Sequence, residues 1–91
     1  MAVICKHCVI DGRVQGVFYR ASAYKKAQSI GVKGWVRNMD DGCVEALVQG
    51  EQDLVDDMLD WFWQGSAPSH VTSVRCYDEQ PIATDDFIVT R

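Results

Sequence analysis

Val32-Lys33-Gly34-Trp35-Val36-Arg37-Asn38-Met39-Asp40-Asp41-Gly42-Cys43-Val44-Glu45-Ala46-Leu47-Val48-Gln49-Gly50 reads as two strands and the turn between them. Val32–Asn38 carries Trp35 and Val36, residue types that favour a pleated, half-buried surface. Met39-Asp40-Asp41-Gly42 is a turn, because Asp-Gly supplies the positive φ that a tight hairpin needs. Cys43–Gln49 then alternates, with Val44, Ala46 and Val48 on one face and Glu45, Leu47 and Gln49 on the other. Gly50 ends the second strand. The stretch is an antiparallel hairpin, and what stands on either side of it decides the fold.

A helix precedes the hairpin. Ala23, Ala27 and Ile30 recur at spacings of four and three on one face of Arg20–Ile30, Lys25 and Lys26 point away, and Gly31 stands where a C-terminal glycine belongs. A second helix follows it. Glu51-Gln52-Asp53 opens this helix with acids at its positive end, and Leu54, Val55, Met58, Leu59, Trp61 and Phe62 make one apolar stripe. Asp56, Asp57 and Asp60 take the opposite face, Trp63 falls at the stripe's edge, and Gly65 closes the helix. Outermost lie a first strand, Val3–Asp11, joined to the first helix by the loop Gly12–Tyr19, and a fourth strand, Val71–Asp78. A short strand, Phe87–Thr90, ends the chain. The order is βαββαβ plus one strand. Right-handed crossovers leave both helices on one side of the sheet, the split βαβ or ferredoxin-like arrangement of the α+β class. The sheet is expected to be antiparallel, and the fold by itself assigns no function.

Ninety-one residues make one small domain, expected to span 1–91. Apolar residues at 47% and charged residues at 24% match a globular chain and argue against disorder. Thirteen acids against nine bases give a net charge of −4, which disfavours nucleic acid and anionic membrane as partners. Neither a targeting segment nor a membrane-spanning run is visible, so a cytoplasmic, soluble monomer with reduced cysteines is expected. Cys5 and Cys8 form a C-x-x-C, but inside a strand positions three apart face opposite sides, so the pair is read as ordinary buried residues. Cys43 and Cys76 form no second such motif, and His7 and His70 are lone histidines.

The loop Gly12-Arg13-Val14-Gln15-Gly16-Val17-Phe18-Tyr19-Arg20 is unlike a plain connector. Its glycines let successive N–H groups point into one hollow, and the helix start adds unpaired donors and partial positive charge. Arg20 stands in the first turn, where a cation opposes the dipole, and a bound anion would compensate it. The guanidinium plane matches phosphate or carboxylate oxygens bidentately. A plain loop with a surface arginine stays open as the other reading. Asn38 likewise has two: a turn asparagine bonding its own backbone, or an amide that positions a water or a substrate oxygen.

At these residues the chain resembles the acylphosphatase family. Gly12–Arg20 is similar to its first signature, glycine-x-valine-glutamine-glycine-valine-x-aromatic-arginine. Gly34-Trp35-Val36-Arg37-Asn38 through Gly42, Val44 and Gly50 is similar to the second, and Phe87-Ile88-Val89 to the family's aromatic-x-aliphatic end. The resemblance implies an enzyme that hydrolyses the carboxyl–phosphate bond of small acyl phosphates, with inorganic phosphate or sulfate as product-like ligands. It implies neither metal nor organic cofactor. It carries the catalytic arginine onto Arg20, the catalytic asparagine onto Asn38, and the phosphate cradle onto the backbone of Gln15, Gly16, Val17, Phe18 and Tyr19. Phe18 and Tyr19 put two bulky rings where many members have a smaller residue and a phenylalanine, and Asp40 and Asp41 bring acids near Asn38. Two other functions compete: a non-catalytic anion-binding or regulatory module, and an accessory domain that handles carbamoyl phosphate.

Overall fold

The computed structural model describes residues 2–90. Its elements are β1 (Val3–Arg13), α1 (Tyr19–Ile30), β2 (Lys33–Asn38), β3 (Val44–Glu51), α2 (Gln52–Gln64), β4 (His70–Asp78) and β5 (Phe87–Val89). The sheet order is β4-β1-β3-β2-β5. β3 pairs antiparallel with both β2 and β1, and β1 pairs antiparallel with β4. The two βαβ crossovers therefore interleave: β1 and β2 are separated by β3, and β3 and β4 by β1.

The expected antiparallel sheet needs one correction. β5 pairs parallel with β2, setting Gly34, Trp35 and Val36 opposite Phe87, Ile88 and Val89. The cause is the connection through 79–86. It leaves β4 at one edge of the sheet and must reach β2 at the other, and a chain that crosses in this way returns in the direction of β2.

That crossing also explains the burial of Gln49, which alternation does not. Val44, Ala46 and Val48 of β3 join Cys8, Ile10, Val36 and Phe87 in the core beneath the helices. Leu47 and Gln49, on the opposite face, are buried as well. The Gln49 side-chain amide clasps the crossing segment, donating from Nε2 to Ile82 O at 2.9 Å and accepting at Oε1 from Ile82 N at 2.7 Å. β3 is thus covered on both sides. α2 closes the core with Val55, Met58 and Phe62, all fully buried. At about 1.5–3 kcal/mol each, these three side chains contribute on the scale of a small domain's whole net stability.

β1 runs two residues past its expected end, with an irregularity between Asp11 and Gly12. Gly12, read in the sequence as part of the curling loop, is a strand residue at φ +125°, and a Cβ there would collide with His70 O. Its glycine permits close approach to β4 rather than curvature at a ligand site. Cys5 and Cys8 do lie on opposite faces of β1, and Cys8 is in register with Cys76. All four cysteines are free. His7 Nε2 meets Glu45 Oε2 at 2.7 Å, and Glu45 is also paired with Arg37, which makes His7 part of a cross-strand polar network. Among the described residues no helix is long and apolar enough to cross a membrane.

Candidate active site

The loop after β1, the first turn of α1 and the end of β2 meet at one cleft of about 390 Å³. Gly16, Phe18, Arg20, Asn38 and Val89 are among its walls. Sheet order explains how residues from separate motifs converge. β2 lies between β3 and β5, so Asn38 at its C-terminal end stands beside the terminal strand, onto which α1 also packs.

The loop is bent at two left-handed residues, Gly16 and Phe18, with Val17 between them. Gly16 has φ +71° with open space where a Cβ would be. Phe18 has φ 63° and ψ 20°, the one non-glycine residue at positive φ among the described residues. Such a conformation costs a bulky residue about 1–3 kcal/mol and persists only where its surroundings fix it. Three side chains do the fixing. Gln15 Nε2 donates to Met39 O at 2.7 Å and Cys43 O at 2.8 Å, tying the loop to the β2–β3 turn. Ser66 Oγ donates to Val17 O at 2.6 Å, holding that carbonyl toward the protein. Tyr19 is buried, and its hydroxyl donates to Phe62 O at 2.8 Å. Burial pushes the Tyr19 phenol well above its ordinary pKa, so it stays a neutral donor.

With the Val17 and Phe18 carbonyls engaged elsewhere, the loop leaves donors over. Among the described residues, no backbone N–H from Gln15 through Ala21 donates to another backbone group, whereas Ser22 N already bonds Phe18 O at 3.0 Å. α1 begins without a side-chain cap and without an acid in its first turn. The sole charge there is Arg20, whose Nη1 donates to Thr90 O at 3.1 Å. The helix start is therefore positive twice over.

Asn38 resolves differently from the turn reading. The turn is capped by Asp41, whose Oδ1 accepts from Cys43 N at 3.0 Å. Asn38 Oδ1 is buried and has no hydrogen-bond partner among the described residues. An orphaned carbonyl of this kind costs about 1–3 kcal/mol and calls for an explanation. Asp40 and Asp41 line a separate groove beyond Asn38, together with Arg37 and Met39, rather than the cleft itself. Cys43, beside that turn, donates from Sγ to Asp11 Oδ1 at 2.6 Å, and this bond pushes its thiol up to about 12. It stays protonated and is no nucleophile near neutrality.

The acylphosphatase family model matches residues 6–89. The chain belongs to the acylphosphatase family. It is 51% identical over 73 residues to an acylphosphatase of Nitrosococcus oceani, covering 80% of this chain and 82% of that one. To an acylphosphatase of Haloarcula marismortui it is 45% identical over 89 residues, 98% of each chain. The structure of an acylphosphatase from Coxiella burnetii superposes with a TM-score of 0.93 at 35% identity, covering 97% of this chain and 93% of that chain.

Both family signatures thus contribute walls to one cleft. Three supporting groups escape sequence reasoning. Gln15 is expected for its backbone, yet its side chain is the staple to the turn. Ser66 reads as part of a small-residue connector, and Thr90 O is a main-chain atom that carries no sequence signal. Ser66→Ala tests the first layer of support. It strands the Val17 carbonyl, so a stability loss of about 1–2 kcal/mol is expected in thermal or denaturant unfolding. The loosened loop should also bind phosphate several-fold more weakly. Unchanged phosphate affinity in a destabilised variant would make Ser66 a packing residue only.

Proposed function

We propose that the cleft holds the phosphoryl group of a small acyl phosphate and that the free N–H groups of Gln15–Tyr19, with Arg20, are its cradle. The observation that carries this reading is the pairing of two uncompensated features in one cleft: an uncapped, cationic helix start and a buried carbonyl, Asn38 Oδ1, without a partner among the described residues. A phosphoryl group satisfies the first. A water donating one O–H to Asn38 Oδ1 satisfies the second and aims its oxygen lone pair at phosphorus.

The chemistry asks little more. The leaving group is a carboxylate, so no side chain has to protonate it. Transfer proceeds with the attacking and leaving oxygens in line, and catalysis reduces to positioning and charge stabilisation. The water oxygen bonds to phosphorus as the phosphorus–acyl oxygen bond breaks. The carboxylate departs with the bonding pair, and the water's proton passes to a phosphoryl oxygen. N–H donors and the Arg20 guanidinium are in place before charge moves, so they stabilise the transition state without reorganising.

Phosphate release from benzoyl phosphate tests this against a non-catalytic anion-binding module: the enzyme releases phosphate with turnover, and the module does not. Binding of the product should also be visible in stability. A ligand specific for the native state adds about 1.4 kcal/mol at ten times its Kd, several degrees of Tm in a domain this size. Inorganic phosphate and sulfate are expected to raise Tm in competition for one site. Chloride at equal ionic strength should do much less. Equal effects from all three salts would mean general salt stabilisation and no cradle.

A further inference from the structure

Beside the anion cleft a second, more open groove runs along the outer edge of β5, lined by Ala21, Tyr24 and Lys25 of α1 and by Phe87, Ile88 and Val89 of β5, with Asp86 at its end. The two cavities share Ala21 and Val89 as walls, so they lie side by side. The groove is apolar where it meets the cleft, and Tyr24, Ile88 and Val89 are large apolar side chains left exposed. Asp86 stays ionised, held below its ordinary pKa by the bonds its Oδ1 accepts from Gln28 Nε2 and Phe87 N, each at 2.8 Å, and with Lys25 it makes the groove polar at the end away from the cleft.

We propose that this groove is the acyl subsite, and that it selects acyl phosphates with an extended apolar acyl group over acetyl phosphate. The inference rests on the phosphoryl reading of the cleft and deepens it. In-line displacement puts the leaving carboxylate opposite the attacking water. Asn38 stands on β2 at the side of the cleft toward the β2–β3 turn, and the groove opens on the far side, beyond β5. An acyl group leaving away from Asn38 therefore runs over Val89 and Ala21 toward Tyr24. The other exit, past Asn38, is the smaller groove with Asp40 and Asp41, where Met39 is the one apolar wall and charged side chains make up most of the rest. Tyr24 is 40% exposed, so a chain lying against it is covered on one side.

The test uses the linear series acetyl, butyryl and hexanoyl phosphate, whose leaving carboxylates have nearly equal basicity. Full burial of a CH₂ would raise kcat/KM about fourfold, and a groove open on one side about half of that, roughly twofold per added methylene. The rise should appear in KM. Tyr24→Ser removes a groove wall that does not reach the anion cleft, so acetyl phosphate turnover is expected to stay within about twofold while the chain-length slope flattens. Trp63→Ser, another exposed ring, on α2, serves as control and should keep the slope. Efficient hydrolysis of all three substrates without a slope, or a slope unchanged in Tyr24→Ser, overturns the subsite and leaves the phosphoryl reading standing. No hydrolysis of any of the three overturns both.

Discussion

Arg20→Gln is expected to weaken inhibition by inorganic phosphate and to lower kcat together, while the protein stays folded. A charge-assisted bond to an anion is worth about 1.5–3 kcal/mol, so the phosphate inhibition constant should rise by roughly one to two orders of magnitude. Charge shifts in the transition state add to the loss, and kcat should fall by about 10²–10³. Stability is the discriminating readout. Arg20 stands in the first turn of α1 with no acid beside it, so its removal relieves about 0.3–1 kcal/mol of dipole repulsion. Against that stands the lost bond to Thr90 O, worth about 1 kcal/mol. The two nearly cancel, and Tm without phosphate should match the native protein. The rise in Tm on adding phosphate should disappear. A variant with normal phosphate inhibition would place the anion elsewhere, and the functional reading would fall with it.

The parts of the molecule that sequence makes legible are those set by local chemistry. Asp41-Gly42 forces the hairpin turn, and the spacing of Ala23, Ala27 and Ile30 forces α1 onto the sheet. What stays hidden depends on pairs distant in the chain. Leu47 and Gln49 alternate outward on β3, yet both are buried: Gln49 is clasped by Ile82, thirty-three residues further on, and Leu47 stands between His7 and Trp35 of the neighbouring strands. The parallel pairing of β5 has the same origin. The site divides along the same line. Arg20 and Asn38 are recognisable by motif, and Gly16 by the bend it allows, whereas Gly12 has its reason in β4. The stiffness of the loop comes from Gln15, Ser66 and Tyr19, whose partners lie 24, 49 and 43 residues away. Turn chemistry also assigns Asn38 to a role that Asp41 performs.

That reassignment sharpens what Asn38→Ala should do. Were Asn38 a turn residue, its loss would cost about 1 kcal/mol of stability and little activity. With Oδ1 buried and unpartnered among the described residues, the substitution removes a desolvated acceptor instead, so stability is expected to hold or rise slightly. The penalty moves to the rate. In the proposed role of orienting the water, its loss should lower kcat by about 10²–10³, on the scale of one preorganised hydrogen bond in a dry site. The phosphate inhibition constant should stay near its native value, because in the proposed site the phosphoryl group is held by the cradle and Arg20. Asn38→Asp separates orientation from charge. It keeps an acceptor at the same place but sets an anion against the cleft, so it should raise the phosphate inhibition constant where Asn38→Ala does not. Near-normal turnover in a folded Asn38→Ala would take the water away from this residue. A parallel loss of phosphate affinity in that variant would make Asn38 part of the cradle, leaving the attacking water to be held by the substrate and Arg20.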